Sequence, residues 1–599
     1  MKKTSFAIYS MPFAFRSLHF ALFILPLVFC FLPFGVNAQM WQSKVHPSVM
    51  AQLQSQTEVE ILVLMREKAD ISGANRLTTK EEKGTYVFNT LRGASERSQV
   101  GIQQLLNAQN VRFQSFWLVN SLYLKANFDL IKQIAERDEV AEVMNNPHAK
   151  IDLVPEATMP QPEGIVITWG IKKIRADSVW SLGYRGQNAV IGGEDTGYDW
   201  NHPAIKPKYR GWNTTTSVAD HNYNWHDAIH PDSVTASNPC GTNTAAPCDD
   251  HSHGTHTMGT MAGAFDTLQI GVAPNARWIG ARNMDRGDGT LARYVECFQF
   301  FVAPTNLAGL LPKPALAPHV INNSWSCPTS EGCNPSNFAV MDAAVLAVRT
   351  AGIVPVISAG NSGSSCSSIN APPATHAPGF AVGATQSTDT IAGFSSRGPV
   401  TVDGSNRLKP DISAPGVSVY SSVLNGGYAN YSGTSMAGPH VAGVVALMIS
   451  ANPKLAGQVD TIESIIKRTA RPMTTTQNCG NVLGTTIPNN TYGYGRIDAL
   501  SAVLEGLKYK TSPVESIDNQ TIVQVYPNPF TADFTIYTEG VSGDVLVQVF
   551  NASGQTVYSR KENFTQKNRT IVALPNMPSG VYFYKIQNER VSLTGKIMK

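Results

Sequence analysis

The pattern of apolar and polar positions divides the chain into three stretches of different period. Between residues 40 and 150 the period keeps changing. Residues 58–65 alternate as a strand, 87–108 carry apolar positions at helical spacing, and 111–126 return to strand character. Residues 128–137 then read as a second helix and 140–145 as a last strand, which together predict a small α+β unit. Further on, apolar runs at 190–194, 277–281, 319–323, 354–358 and 380–382 alternate with helical segments. These predict the strands of a doubly wound parallel sheet, so the central stretch reads as α/β. Beyond a polar stretch at 508–520, short alternating runs recur at 534–537, 545–550, 570–573 and 581–586. Turn pairs such as Ser553-Gly554 and Ser579-Gly580 separate them, and a small all-β sandwich is expected.

The first residues change the picture by adding a segment that is not part of the fold. Lys2, Lys3 and Arg16, an apolar run over 19–34, and Val36-Asn37-Ala38 have the form of a signal peptide cut after Ala38. A membrane anchor would need about 20 clean apolar residues, and the run falls short. No later stretch reads as long and apolar enough to span a bilayer. The expected organisation is a signal peptide over 1–38, an α+β unit over 39–160, the α/β unit over 161–507, a linker over 508–522 and the sandwich over 523–599. With 42% hydrophobic residues the chain can bury a large core, and a formal charge of +3 argues against nucleic acid as its partner.

Candidate chemistry gathers at three motifs of the α/β stretch. Gly433-Thr434-Ser435 runs into an apolar helix rich in Ala and Gly, so Ser435 sits at a helix start, where unpaired backbone N–H groups favour negative charge. A Ser there is also an ordinary helix cap. A nucleophilic hydroxyl needs a base, and the base an orienting carboxylate. His251-Ser252-His253-Gly254-Thr255-His256 supplies the first, and Asp195-Thr196-Gly197, at the end of an apolar strand, the second.

In these residues, and in Gly271-Val272-Ala273-Pro274-Asn275-Ala276 and Ser358-Ala359-Gly360-Asn361, the stretch from Trp169 to Leu504 resembles the subtilisin family of serine endopeptidases. Ala281-Arg282-Asn283-Met284-Asp285 and Asn322-Asn323-Ser324-Trp325 are similar to the bacillopeptidase F group within it. The resemblance implies a peptide hydrolase with Ser435 as nucleophile, His253 as base and Asp195 as its orienting carboxylate. It implies Asn361 as an oxyanion donor, although a turn-forming Asn after Gly is the plainer role for that residue type. Extended polypeptide substrates would pair with the edges Gly289-Thr290-Leu291-Ala292 and Ser324-Trp325-Ser326, beside Ser358, Ala359 and Gly360. Two departures from the family pattern stand out. Trp325 replaces a smaller residue, which opens side-chain preference to question, and Glu194 replaces an apolar one just before Asp195. Strand alternation should turn Glu194 to the opposite face from Asp195.

The α+β unit is similar in position to the family's inhibitory propeptide, which makes the chain's own leader a partner; a separate substrate-binding module is the alternative. Tyr526-Pro527-Asn528-Pro529-Phe530, Asn551-Ala552-Ser553-Gly554-Gln555, Gly580-Val581-Tyr582 and the last four residues resemble the C-terminal sorting domain of type IX secretion cargo. That resemblance implies the type IX machinery as a partner and a secreted or outer-surface location reached through the periplasm. A carbohydrate- or surface-binding sandwich is the competing reading. No cofactor is implied for the chemistry, no metal ligands are assigned, and structural calcium is compatible with the family.

The insertion between Asp195 and His253 carries His221, His226, Asp227, His230, Asp232, Asp249 and Asp250. It lacks ligand-spaced pairs and reads as a polar surface loop stapled by a disulfide. Eight cysteines include Cys30 in the leader, so seven remain. Cys240 and Cys248 bracket a short loop and should pair, one further pair is expected among Cys327, Cys333 and Cys366, and Cys297 reads as a buried free thiol.

Overall fold

The computed structural model describes residues 41–151, 164, 166–231, 238–335, 337–509, 522–565, 567–588 and 592–599. The leader, the expected cut after Ala38, residues 510–521 of the linker and Asp232 lie outside the described residues.

The N-terminal unit is built from β1 (Val59–Met65), α1 (Lys80–Ser98), α2 (Val100–Ala108), β2 (Phe113–Phe116), β3 (Ser121–Ala126), α3 (Phe128–Ala135), β4 (Val140–Asn145) and β5 (His148–Lys150). The first four strands form an antiparallel sheet in the order β2-β3-β1-β4. Two expectations are corrected here. The helical stretch at 87–108 is two helices, and the first starts at Lys80 because Thr79 and Glu82 form a reciprocal capping box. The stretch at 111–126 is a hairpin, folded where Asn120 takes a left-handed conformation (φ 49°). Strand β5 leaves this sheet altogether.

The central unit holds a seven-stranded parallel sheet. Its strands are β6 (Val190–Asp195), β7 (Trp225–Asp227), β8 (Arg277–Arg282), β10 (Val320–Asn323), β11 (Val354–Ser358), β12 (Phe380–Thr385) and β13 (Ile412–Pro415), with β9 (Asp288–Thr290) outside it. The order is β7-β8-β6-β10-β11-β12-β13. Helices α4 (His253–Ala262) and α7 (Thr434–Ala451) pack on one face, and α5 (Leu291–Val302) and α6 (Phe338–Thr350) on the other. The flanking strands β7 and β13 are short, three and four residues, and had no clear run in the sequence. Helix α7 does reach membrane-spanning length and hydropathy, contrary to expectation. It is 89% buried within the unit and serves as its core helix.

The C-terminal unit contains β14 (Ile522–Tyr526), β15 (Asp533–Glu539), β16 (Gly543–Phe550), β17 (Thr556–Phe564), β18 (Lys567–Ala573), β19 (Val581–Gln587) and β20 (Ser592–Met598). A three-stranded sheet, β14-β15-β18, and a four-stranded one, β17-β16-β19-β20, share one core around Phe534, Ile536, Val547 and Ile586.

Candidate functional site

Three chain segments meet at the carboxyl ends of the parallel strands, where open α/β sheets build their sites. Asp195 closes β6, His253 is the first residue of α4, and Ser435 is the second residue of α7. All three are buried, with Ser435 the most open at 7% exposure. The His253 ring Nδ1 lies 2.6 Å from Asp195 Oδ1. The same carboxylate oxygen accepts the Thr196 N–H at 2.8 Å, and Oδ2 accepts the Thr257 hydroxyl at 3.2 Å. A glycine at 254 is needed for this approach, because a Cβ there would stand 2.0 Å from the Gly197 carbonyl oxygen and 3.1 Å from Asp195 Cβ.

Ser435 owes its setting to a proline. Pro439 has no N–H to bond the carbonyl four residues back, which is that of Ser435. The freed carbonyl instead accepts the Ser324 hydroxyl at 3.0 Å. The Ser435 hydroxyl in turn donates a long bond, 3.3 Å, to the Ser324 carbonyl, and His253 Nε2 faces the site without a hydrogen-bond partner. Asn361 follows β11. Its side-chain oxygen accepts both the N–H and the hydroxyl of Thr434, each at 2.9 Å, which commits the carboxamide oxygen and leaves Nδ2 beside Gly433.

Ser324, Trp325, Ser326, Ser358, Ala359 and Gly360 line a cleft of about 480 Å³ together with Asn361 and Ser435. A larger cavity of about 1070 Å³, between the N-terminal unit and α5, contains none of Asp195, His253 or Ser435. Gly289 and Thr290 lie in β9, and Leu291 begins α5, with Thr290 accepting the Arg293 N–H as its cap. The β9 edge is occupied. Strand β5 of the N-terminal unit pairs with it antiparallel, His148 opposite Thr290, Ala149 opposite Gly289 and Lys150 opposite Asp288. Ile151 N–H continues the ladder to the Gly287 carbonyl at 2.8 Å, and Ile151 reaches the cleft that holds Ser435.

Trp325 does not project into solvent. It is 3% exposed and lies flat on Tyr294, with ring centroids 3.6 Å apart and planes at 5°. Tyr294 and Thr434 are the site residues that sequence reasoning missed. Thr434 stood inside a quoted motif, yet its tie to Asn361 spans 73 positions and leaves no local trace.

The polar insertion is held by ion pairs. Asp227 and Asp250 both face Arg282, and His226 and His230 share Glu296. Burial alone would raise the Glu296 carboxyl, but the two imidazoles outweigh it and hold it far below the usual carboxylate range. Asp249 accepts from His251, Ser252 and Thr255 at the start of α4. Among the described residues no cluster of three or more His, Cys, Asp or Glu has metal-holding geometry. Disulfides join Cys240 to Cys248, Cys327 to Cys333 and Cys366 to Cys479, and Cys297 is a buried thiol.

Comparison with known proteins adds two family matches. Residues 186–495 match the Subtilase family, and residues 524–599 match the Secretion system C-terminal sorting domain. Bacillopeptidase F of Bacillus subtilis (strain 168) is 33% identical over 509 residues, 79% of this chain, although the match covers only 33% of that protein. Subtilisin DY of Bacillus licheniformis is 33% identical over 293 residues, 48% of this chain and 87% of that protein. Subtilisin-like protease 4 of Trichophyton rubrum is 28% identical over 353 residues, 56% of this chain and 74% of that protein.

Proposed function

The chain belongs to the subtilase family, and from that premise we propose that it is a secreted serine endopeptidase, made as a zymogen, that cuts extended polypeptides through an acyl-enzyme. The observation that carries this reading is the 2.6 Å contact of His253 with Asp195 at the strand end where Ser435 opens α7. Ser435 attacks the scissile carbonyl and His253 takes its proton through the unpartnered Nε2, while Asp195 holds the imidazole through Nδ1. The proton then passes from His253 to the leaving amine, and water repeats the cycle on the acyl-enzyme. A small organophosphorus fluoride should label Ser435 and stop hydrolysis of denatured protein in step with labelling. Hydrolysis that continues after full labelling would overturn the assignment.

Asn361 completes the chemistry as oxyanion donor, since its oxygen is committed to Thr434 and only its N–H₂ is left to meet developing charge. Asn361→Ala is expected to lower kcat on the order of 10²–10³-fold with KM little changed, the size associated with the same loss in subtilisin. A fall carried by KM instead would point to a binding role.

The N-terminal unit, residues 39–160, acts in this reading as an intramolecular inhibitor, because β5 lies on the edge a substrate strand would use. His148 sits between Asp288 and Glu60, 3.5 and 3.6 Å away. Hydrogen bonding to Asp288, then to Glu60, pushes its pKa up from 6.5 to about 9. A raised pKa in the docked state means that protonation favours docking. Glu60 belongs to the N-terminal unit itself, so the docking contribution is the Asp288 share, which is lost as pH rises through about 9. Inhibition by the N-terminal unit should therefore weaken over that rise and stay flat in His148→Gln. An inhibition constant that falls with rising pH would contradict this.

The sorting-domain match over 524–599 supports export by the type IX system to the cell surface or medium, by way of the periplasm. Removing residues 523–599 should leave a competent enzyme that stays in the periplasm, since this unit closes its own core and supplies none of Asp195, His253, Asn361 or Ser435. Fractionation of a host with this system checks it, and unchanged export of the truncated chain would leave the domain as a surface-binding module.

A further inference from the structure

Beneath the cleft lies a carboxyl group that the proposed reaction does not use. Glu194 is fully buried, and alternation along β6 turns it away from Asp195 to the α5 face of the sheet, where a Cβ on Gly192 would also meet Phe301. No cation among the described residues pairs with it. Neither of its oxygens has a hydrogen-bond partner. Other buried polar atoms are unmatched as well, among them Asn323 Oδ1, the Trp325 indole Nε1 and both side-chain atoms of Asn283, two residues beyond the β8 partner of Glu194. Asn323 is the register partner of Glu194 on β10, so its side chain leaves the same face one strand away. Trp325 follows two residues later, and its indole lies near enough to the Glu194 carboxyl to favour the charged form, though outside hydrogen-bond geometry.

Glu194, Asn323 Oδ1 and the Trp325 indole are complementary in only one protonation state. Asn323 Oδ1 can only accept and the indole N–H can only donate. A carboxylate offers two acceptors and would leave Asn323 unmatched, whereas a carboxylic acid offers one donor and one acceptor and matches both. Its surroundings favour the acid. Burial raises the Glu194 carboxyl well above the usual range, the Trp325 indole works against this, and the neighbouring Asp195 charge adds to it. The other titratable groups in its field are Tyr198 beyond the strand, and Tyr294 and Cys297 from α5, all themselves raised.

We propose that Glu194 is a positioning residue for substrate selection: its carboxyl links Asn323 to the Trp325 indole and so fixes the Trp325–Tyr294 stack that walls the cleft beside Ser435. This rests on the serine-peptidase reading above. It assigns to the two departures from the family pattern, Glu194 and Trp325, a single joint role. The substrates it implies are peptides whose side chain before the cut bond packs on a flat aromatic wall.

Variants at 194 test the link with peptides that place a Phe or a Leu before the cut bond. Glu194→Leu, which fills the space without hydrogen bonding, should raise KM about tenfold with little change in kcat, the scale of one lost buried hydrogen bond. Glu194→Gln offers the same donor and acceptor pair and should restore the wild-type KM. The wild-type KM should also rise with pH as the acid ionises, and the Gln variant should lack that rise. In a Trp325→Phe background, Glu194→Leu should add nothing further. Equal KM for wild type and Glu194→Leu would overturn the proposal, as would a Leu effect that persists undiminished in the Trp325→Phe background or a Gln variant no better than Leu. Labelling of wild-type Ser435 by the small fluoride reports on the peptidase reading alone, so its failure is distinguishable from failure at Glu194.

Discussion

Ser435→Ala is expected to abolish peptide hydrolysis, a loss on the order of 10⁶-fold in kcat, as when subtilisin loses its nucleophile. The fold should be unaffected. The hydroxyl makes one long bond to Ser324, while the contact that anchors this turn runs through the backbone carbonyl of Ser435 and survives the substitution. The measurement is turnover of a chromogenic peptide beside a thermal melt. Residual activity near wild type in a protein of unchanged melting temperature would remove Ser435 from the mechanism. A large fall in melting temperature would instead make it structural.

The second large effect concerns folding. Expression of residues 161–599 without the N-terminal unit should yield few active molecules, and supplying residues 39–160 separately should raise the yield of folded enzyme while inhibiting it. The central sheet sets strands far apart in sequence side by side, so much chain must be closed before any pairing is rewarded. The N-terminal unit touches the central unit at several places. Trp117 and Leu118 donate backbone N–H groups to Gln299 on α5, Lys80 reaches the Ala317 carbonyl at the entry to β10, and β5 aligns β9. The yield of active sites, counted by serine labelling after refolding with and without the N-terminal segment, is the readout. Equal yields would remove the folding role and leave only the inhibitory one.

What the sequence disclosed and what it hid follow a physical line. The five predicted strands of the central sheet were legible because strands covered on both faces read as continuous apolar runs, and all five appear within a few residues of the expected limits. Strands β7 and β13 escaped because Trp225-His226-Asp227 is mostly polar and Ile412-Ser413-Ala414-Pro415 is broken by Ser413 and Pro415, so neither reads as an apolar run. Strand β5 escaped for another reason: its pairing partner, β9, lies 140 positions away, and no local pattern marks it. The same distinction separates the cysteines. Cys240–Cys248 and Cys327–Cys333 close loops of eight and six residues and were within reach of spacing, whereas Cys366–Cys479 joins positions 113 apart. At the site, motif order brought out Asp195, His253 and Ser435. The stacking of Trp325 on Tyr294 depends on a helix and a strand end that only the tertiary fold brings into contact.

The Cys366–Cys479 bridge bears on the fate of an enzyme surrounded by copies of itself. The segment it closes contains β12, β13 and all of α7, including Ser435, while Asn361 lies just outside. A single backbone cut anywhere in that segment therefore creates two chains that remain covalently joined, with Ser435 still tethered to the rest of the sheet. On the peptidase reading, self-digestion in the exposed turns of this region becomes an internal scar instead of the loss of Ser435 from the fold, for as long as the surroundings stay oxidising.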